Sequence, residues 1–551
     1  MNLLLAFIVA MAVTMALIPA LMRVAGRIRV LDVPGARKVH ELPMPRVGGI
    51  AMIVSVAIAL ALWLPGFDAR MRAWLGGAAI VFAFGVWDDR AGLTPPIKLC
   101  GQLLAIACVV FLGDLGISSY TLTERHVLPP WIATPITFVF LLGATNAVNL
   151  ADGLDGLAGG TTLLSCGALG LLGLTYGLTP VALAAFAVAG GILGFLRFNT
   201  YPARVFMGDG GSQFLGYAVA TLALMLTQDS TVPLSTALPL MLLGLPAVDM
   251  LMVMAQRWRE GSPVFGGDRR HVHHKLLGLG FDHAEAVVVI YGVQAVFFVT
   301  AWLMRYEPDP AIAAVFLVLA FLIVGALGAA GRLGWRWRHA SMHPESSGVT
   351  ASPLRRASIW LAAPARLPRW AIRTAAVCLL GYVLAVAALA SRPATDIGWL
   401  ASGLGAGLAV LSLLPSLARR ADWAARMVLY VGVVTAVYLD HQSQVKVPPL
   451  QWVKWVCLPL LVAAVVTRIS LSTERRFTVT ALDVLIVFVA AAVPLLPGLA
   501  GGSSDLGLSL LKLVALVYAV ELLSHQSPRS QRIVACGVCA FFIVVAVRAF
   551  V

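Results

Sequence analysis

The chain has 551 residues, 60% of them apolar and only 12% charged, with a net charge of +14 and a mean hydropathy of +0.89. An ordinary soluble domain is about 45–50% apolar and about 25% charged. A water-soluble fold of this composition would expose large apolar patches. This excludes a soluble enzyme, a disordered regulator and a disulfide-stapled secreted module, and points to an all-α polytopic membrane protein. The basic residues form no stripe suited to nucleic acid; they lie in short clusters between apolar runs. The seven cysteines lie in or beside those runs, Cys536 and Cys539 as a CxxC. They read as small packing residues rather than a disulfide framework.

In chain order, the first 22 residues are apolar and are followed by Arg23, Arg27 and Arg29. That pattern predicts a retained first span with its N-terminus outside. About 20 apolar residues cross a bilayer. Spans are expected at 3–22, 48–65, 73–87, 98–113, 130–146, 161–177, 181–196, 212–227, 236–255, 285–304 and 311–331. Residues 332–370 are the one long hydrophilic stretch, rich in arginine, and read as a cytoplasmic linker. Its Trp335 and Trp337 suggest an interfacial helix among headgroups. Seven further spans are expected at 371–390, 396–416, 424–439, 452–467, 480–497, 506–524 and 533–550. The organisation is thus 1–331, 332–370 and 371–551. Counting from an outside N-terminus, the gaps that face the cytoplasm hold Arg37, Lys38 and Arg46, then Arg257, Arg259, Arg269, Arg270 and Lys275, then Arg419, Arg420, Arg475 and Arg476. The outside gaps hold few, as the positive-inside rule requires.

Only 26 residues are acidic, so their clustering carries information. Asp88 and Asp89 follow the third span. Asn146, Asn149, Asp152 and Asp155 lie in NAVNLADGLDGLAGG, after the fifth. Asn199 and Asp209 lie in RFNTYPARVFMGDGGS, after the seventh. Asp268, Arg269, His271, His273 and His274 lie in GGDRRHVHHKL, after the ninth. With the basic first loop DVPGARKVHELPMPRVGG, which holds Lys38, His40 and Arg46, all face one side. Such a site suits a phosphate-bearing substrate. Mg²⁺ takes carboxylate and phosphate oxygens and keeps several waters, so one or two aspartates suffice. Glycines let the backbone approach phosphate, and Arg, Lys and His supply charge-assisted donors. Singly, each motif has an ordinary reading. Asp88 and Asp89 read as a solvated helix end, DGLDG as capping, Phe206 as packing and the arginines as a topology signal; HVHH offers zinc ligands, but the adjacent His273 and His274 diverge on a helix. Their gathering on one face favours a site.

These motifs resemble the polyprenyl-phosphate N-acetylhexosamine-1-phosphate transferases, relatives of the WecA, TagO and MraY enzymes, over about residues 1–331. The resemblance implies transfer of a sugar-1-phosphate from a UDP-N-acetylhexosamine to undecaprenyl phosphate, releasing UMP and starting a cell-surface glycan. It implies Mg²⁺, with Mn²⁺ as a substitute, at Asp209 and Asp152. Phe206 resembles the aromatic that stacks on uracil, and Asn149, Asp152 and Asp155 the nucleotide- and metal-organising set. Asp88 and Asp89 resemble the pair debated as base or lipid-phosphate positioner, and His271, His273 and His274 the motif that contacts diphosphate or sugar. Lys38, His40, Arg46, Asn146, Asn199 and Arg269 complete the substrate-binding set. HVHH, with RKVH and PRVGG upstream, is more similar to the branch that uses UDP-N-acetylglucosamine. The expected setting is a bacterial cytoplasmic membrane with the site facing the cytoplasm; a homodimer is compatible.

A phosphate monoester has a second pKa near about 6, so a lipid phosphate is largely a dianion at neutral pH. It hardly needs a base. Asp88 and Asp89 are therefore expected to organise Mg²⁺ and lipid phosphate for direct attack, with an aspartyl-phosphate intermediate as the competing mechanism. The rival to an enzyme is a lipid-linked-glycan transporter or flippase. Transporter sites usually lie near the midplane between repeated halves, whereas these carboxylates sit at span ends. The last seven spans carry no motif with an assigned chemistry. Asp483, Lys512 and Glu521 are expected to snorkel to an interface, and DHQSQVK at 440–446 to form an outside loop.

Overall fold

The computed structural model describes residues 2–32, 43–64, 66, 68–261, 270–337, 367–413 and 422–443, then parts of 453–523 and all of 528–551. It divides into two compact units, one built on residues 1–340 with 480–485, the other on 341–479 and 486–551. Eleven of the described helices are long and apolar enough to cross a membrane, nine of them in the first unit. In hydrocarbon every backbone N–H and C=O must be satisfied internally, so apolar runs become helices.

In the first unit, all eleven expected runs form helices: α1 (Asn2–Val24), α2 (Gly48–Trp63), α3 (Ala69–Ala91), α4 (Pro95–Ala107, continued by one π turn, Cys108–Leu112), α5 (Pro130–Ala151), α6 (Leu157–Thr175), α7 (Thr179–Asn199), α8 (Gly208–Thr227), α9 (Leu238–Arg259), α11 (His283–Leu303) and α12 (Asp309–Arg332). A short helix not foreseen, α10 (Val272–Gly278), precedes α11 and carries most of the histidine motif. Two small antiparallel ladders were not foreseen either: β1 (Leu31–Asp32) with β2 (Met44–Pro45), and β3 (Ser119–Thr121) with β4 (Arg125–Val127).

The α8 helix is the axis of this unit. Every residue from Gly210 to Thr227 is buried, as expected of a helix that is apolar all round. At its other extreme α12 buries only Ile312 and Phe316, leaving Leu317, Val318, Phe321 and Leu322 for lipid. Small residues bring α2 and α3 onto the start of α8. A Cβ on Gly85 would fall 2.3 Å from Gly210 Cα, and one on Gly49 2.6 Å from Gly211 Cα. Contacts this close are the membrane route to tight helix packing.

Helix α9 is broken at Gly244, whose φ is +38°, just before Pro246, which has no N–H. The groups freed by the break find side-chain partners. Leu245 N–H donates to Gln294 Oε1 at 2.9 Å, while Gln294 Nε2 and Ser165 Oγ donate to the Leu242 carbonyl at 3.2 and 2.7 Å.

Residues 333–337, which follow α12 and hold Trp335 and Trp337, are not helical. Trp337 N–H donates to the Leu279 carbonyl, and its ring stacks on Phe281 at 5.3 Å. Aromatic stacking folds 333–337 back onto the α10–α11 turn. The rest of the linker lies outside the described residues.

The second unit contains α13 (Leu367–Leu389), α14 (Thr395–Leu413), α15 (Asp422–Gln442) and α16 (Pro528–Phe550). Expected spans 452–467 and 506–524 are described in part; 480–497, apart from Leu485, lies outside the described residues, as do Asp483 and Glu521. Tyr382, Phe541 and Phe542 fill its core. Two expectations are corrected here. Lys512 does not snorkel: it is buried and its Nζ lies 2.6 Å from Asp440 Oδ2, which also accepts from Tyr382 Oη at 3.0 Å. Residues 440–442 belong to α15 rather than to a loop, because Asp440 finds these partners inside the unit.

The Gly85–Gly210 approach leaves no room for a side chain. Gly85→Val is expected to lower unfolding stability in detergent by about 1–3 kcal/mol, the usual cost of overpacking. Gly167→Ala on α6, where a Cβ meets nothing within 4 Å, should be neutral or slightly stabilising.

Candidate active site

The first turn of α8 is where the site begins. Gly208 has φ +73°, and a Cβ there would sit 2.3 Å from Asp89 Oδ2. Glycine therefore lets the carboxylate of Asp89, at the end of α3, reach the helix start. Asp89 Oδ1 accepts the Asp209 N–H at 2.9 Å, and Oδ2 accepts the Gly210 N–H at 3.1 Å. The first amides of a helix lack intrahelical partners and carry positive potential, so a carboxylate is stabilising there. Asp89 thus fixes the backbone from which Asp209 projects.

Around that turn the sequence motifs converge. Asn149, near the end of α5, donates to Asp209 Oδ1 at 2.8 Å and to Ser212 Oγ at 2.7 Å. Lys98, in the first turn of α4, pairs with Asp88 Oδ2 and lies 3.7 Å from Asp209 Oδ2. The other Asp88 oxygen accepts the Leu93 N–H at 2.6 Å. Arg46 follows β2 and bridges Asp32 Oδ1, at 2.5 Å, to Asp89 Oδ1, at 3.3 Å. The β1–β2 ladder holds Asp32 and Arg46 together. Asp88 and Asp89 have side chains 3% and 1% exposed, whereas Asp209 is 26% exposed. Of these three carboxylates, Asp209 is the one presented outward.

Asp152 and Asp155 occupy the loop between α5 and α6. Burial, added to the negative charges of Asp209, Asp89 and Asp155, pushes the Asp152 carboxyl up to about 7. A cation placed there would displace that proton. Asp155 Oδ2 accepts the Ala203 N–H at 2.9 Å. Asn199 is buried, accepting from Gly156 N–H and donating to the Val205 carbonyl, each at 2.9 Å. Asp155 and Asn199 therefore tie the α5–α6 loop to the α7–α8 loop. Phe206, half-buried, anchors the same loop to the first ladder through its N–H on the Pro45 carbonyl. Asn146 lies one turn before Asn149, in an amide network with Gln102, which also donates to Gln213.

The histidines arrive from α10. His273 packs on the backbone at Gly153, where a Cβ would meet its ring at 2.4 Å. Its ring lies 5.7 Å from that of His271 and 4.2 Å from that of His274. Burial, helped by the His274 ring, lowers the His273 pKa from 6.5 to about 3. His271 Nδ1 meets Asp249 Oδ2 at 2.9 Å. Lys38, His40 and Arg269 lie outside the described residues.

The donor set fits Mg²⁺. Asp88, Asp89, Asp152, Asp155 and Asp209 outnumber the cations Arg46 and Lys98 that pair with them. Outward-facing Asp209, steadied by Asn149, and Asp152 are hard oxygen donors. Among the described residues no group of three or more His, Cys, Asp or Glu is placed to hold a metal unaided. A site of one or two carboxylates completed by substrate phosphates and water is what Mg²⁺ prefers.

Sequence reasoning missed Asp32, Lys98, Gln102, Gln213 and Asp249. Lys98 and Asp249 had a signal: each is an ionisable residue inside an expected span, a functional candidate by default. Asp32 opens the first-loop motif DVPGARKVHELPMPRVGG, but only the β1–β2 pairing brings it to Arg46.

The buried neutral His273 makes stability fall on the acid side. Above pH 6.5 neither folded nor unfolded chain protonates this ring. Below it the unfolded chain gains a proton that the folded ring refuses until about pH 3. Stability is expected to drop across that window by up to about 1.4 kcal/mol per pH unit from this residue. His273→Gln should flatten the slope in a pH series of detergent unfolding curves.

Residues 71–227, from α3 through α8, match glycosyl transferase family 4. The chain is 34% identical over 303 residues to a Bacillus subtilis protein named probable undecaprenyl-phosphate N-acetylglucosaminyl 1-phosphate transferase, an overlap of 54% of this chain and 84% of that one. It is 31% identical over 319 residues to the undecaprenyl-phosphate alpha-N-acetylglucosaminyl 1-phosphate transferase of Yersinia pestis, covering 55% and 85%. To the decaprenyl-phosphate N-acetylglucosaminephosphotransferase of Mycobacterium leprae it is 33% identical over 297 residues, covering 48% and 75%. Identity above 30% across more than four fifths of two such relatives, over the helices that build this site, makes the chain a member of glycosyl transferase family 4, among the polyprenyl-phosphate N-acetylglucosamine-1-phosphate transferases.

Proposed function

We propose that this protein transfers N-acetylglucosamine-1-phosphate from UDP-N-acetylglucosamine to undecaprenyl phosphate and releases UMP. The observation that carries the reading is the start of α8. There an outward carboxylate, Asp209, is steadied by Asn149 and surrounded by the buried carboxylates Asp88 and Asp89, paired with the half-buried Lys98 and Arg46. Phosphoryl transfer requires mainly positioning and neutralisation of charge, and this arrangement supplies both.

In this reading Asp209 and Asp152 hold Mg²⁺. When bound, Mg²⁺ neutralises charge on the diphosphate. Phe206 offers its ring to the uracil, while His271, His273 and His274 face the diphosphate and sugar. Lys98 lies between Asp88 and Asp209, which suits its ammonium to the lipid phosphate. That phosphate is already a dianion, and one of its oxygens attacks the β-phosphorus in line. The new P–O bond forms as the bond from the β-phosphorus to the bridging oxygen breaks, and UMP leaves with the electron pair. No carboxylate need act as nucleophile. Asp88 is engaged by Lys98 and the Leu93 N–H, and Asp89 by two amides and Arg46. The site faces the cytoplasm of a bacterial cytoplasmic membrane, with the N-terminus outside, because the basic loops gather on that side.

The test is UMP release by the full chain in detergent with undecaprenyl phosphate and a panel of UDP-N-acetylhexosamines. Release is expected with UDP-N-acetylglucosamine, abolished by chelation and restored by Mg²⁺ or Mn²⁺. Asp209→Asn should cost about 10²–10³-fold, as loss of one preorganised electrostatic group does. Absence of release with every donor, from folded protein, would overturn the reading. Asp88→Asn should slow the reaction without a trapped phospho-enzyme. A labelled sugar-phosphate adduct on Asp88 or Asp89 would overturn direct attack.

A further inference from the structure

We propose that Asp249, a buried carboxylate that the steps above do not use, is the positioning residue for His271. It sets which ring nitrogen carries the proton and which is left for the substrate. The proposal rests on the transferase reading of the site.

Asp249 lies in the second half of α9, one turn beyond the break at Gly244. It is 6% exposed and His271 is 5% exposed. One carboxylate oxygen lies 2.9 Å from His271 Nδ1, and the other accepts the Val272 N–H at 2.8 Å. An ionised carboxylate can only accept. The proton of the neutral ring is therefore on Nδ1, and Nε2 is the nitrogen that remains. Which nitrogen of a histidine acts is set by the hydrogen bond the other one makes. The same carboxylate takes the first amide of α10, so a single group fixes both the ring and the helix that bears it. The orientation is handed on. The His271 ring is within 8° of parallel with that of His273, and His273 rests on Gly153, beside Asp152.

A carboxylate that merely secured α10 would make the same contacts, but substitution separates the two roles. Asparagine keeps an oxygen for the Val272 amide. Its NH₂ group, however, donates to Nδ1 and so drives the ring proton to Nε2. Asp249→Asn thus preserves the fold and inverts the tautomer. Asp249→Glu keeps an acceptor-only group.

The experiment uses the full chain in detergent, as wild type, Asp249→Asn, Asp249→Glu, His271→Ala and the Asn/Ala double variant. Asp249→Asn is expected to melt near the wild-type Tm. Its kcat for UMP release should fall by about 10–100-fold, the range for an outer partner of a functional histidine, with KM for UDP-N-acetylglucosamine little changed. Asp249→Glu should retain more activity than Asp249→Asn. In the His271→Ala background, Asp249→Asn should cost nothing further, since a residue acting through another gives a non-additive cycle. In ¹⁵N-histidine-labelled protein, the resonance lost in His271→Ala should report a proton on Nδ1 in wild type and on Nε2 in Asp249→Asn. Independent, multiplicative losses, a wild-type kcat in Asp249→Asn, or an unchanged tautomer would each overturn the proposal. If wild type releases no UMP, it is the transferase reading that fails. The ¹⁵N spectra still decide whether Asp249 sets the ring.

Discussion

The geometry of the site in the first unit depends on one carboxylate at one helix end. Asp89 accepts the amides of Asp209 and Gly210 and so locks the end of α3 to the start of α8. The lock requires three glycines. Gly208 clears the space that Asp89 fills, and Gly85 and Gly210 let the two backbones touch. Remove that approach and Asp88, which shares the last turns of α3, no longer meets Lys98 beside Asp209. The apparent active-site pair therefore has divided duties. Asp89 is directed into the protein and holds geometry, while Asp88 faces the cation of α4.

The electrostatics follow from that packing. Carboxylates gathered at helix ends repel, and burial raises the cost of each charge. Arg46 and Lys98 offset part of it, each shared between two aspartates or placed close to a second. The remainder is negative charge with an outward-facing carboxylate at its edge. A divalent cation bound with a phosphate-bearing substrate relieves such a site, and the position of Asp152 near neutrality shows the same excess in another form.

The fold was legible in the sequence where hydropathy governs it. All eleven spans of the first unit formed helices because a lipid environment leaves an apolar run no other backbone solution. The loops carrying NAVNLADGLDG, VFMGDGG and HVHH were legible as chemistry, and the structure brings their described residues together. What was not legible depends on contacts across the chain. Asn199 looked like a substrate residue, yet its amide is spent on the backbone of two loops. Asp32 acquires meaning only through a two-residue ladder. Asp249 stood out as a charge inside an apolar run, but its partners, His271 and the Val272 amide, come from a separate helix and are seen only in the fold. The α10 helix was invisible for a simpler reason: seven residues are too few for a periodic signal.

The second unit handles charge by the opposite logic. Asp440, Lys512 and Tyr382 satisfy one another within the apolar interior, whereas the first unit leaves Asp209 facing outward. A buried pair of this kind is weak evidence for added stability, since the desolvation of two ions offsets most of their attraction. Removing one partner is a different matter, because the other is then stranded without water. The pair thus constrains how α13, α15 and the helix bearing Lys512 pack, irrespective of any chemistry. This is also why snorkelling failed as an expectation for Lys512. A lysine reaches for the interface only when nothing nearer accepts its charge, and here an aspartate on α15 does.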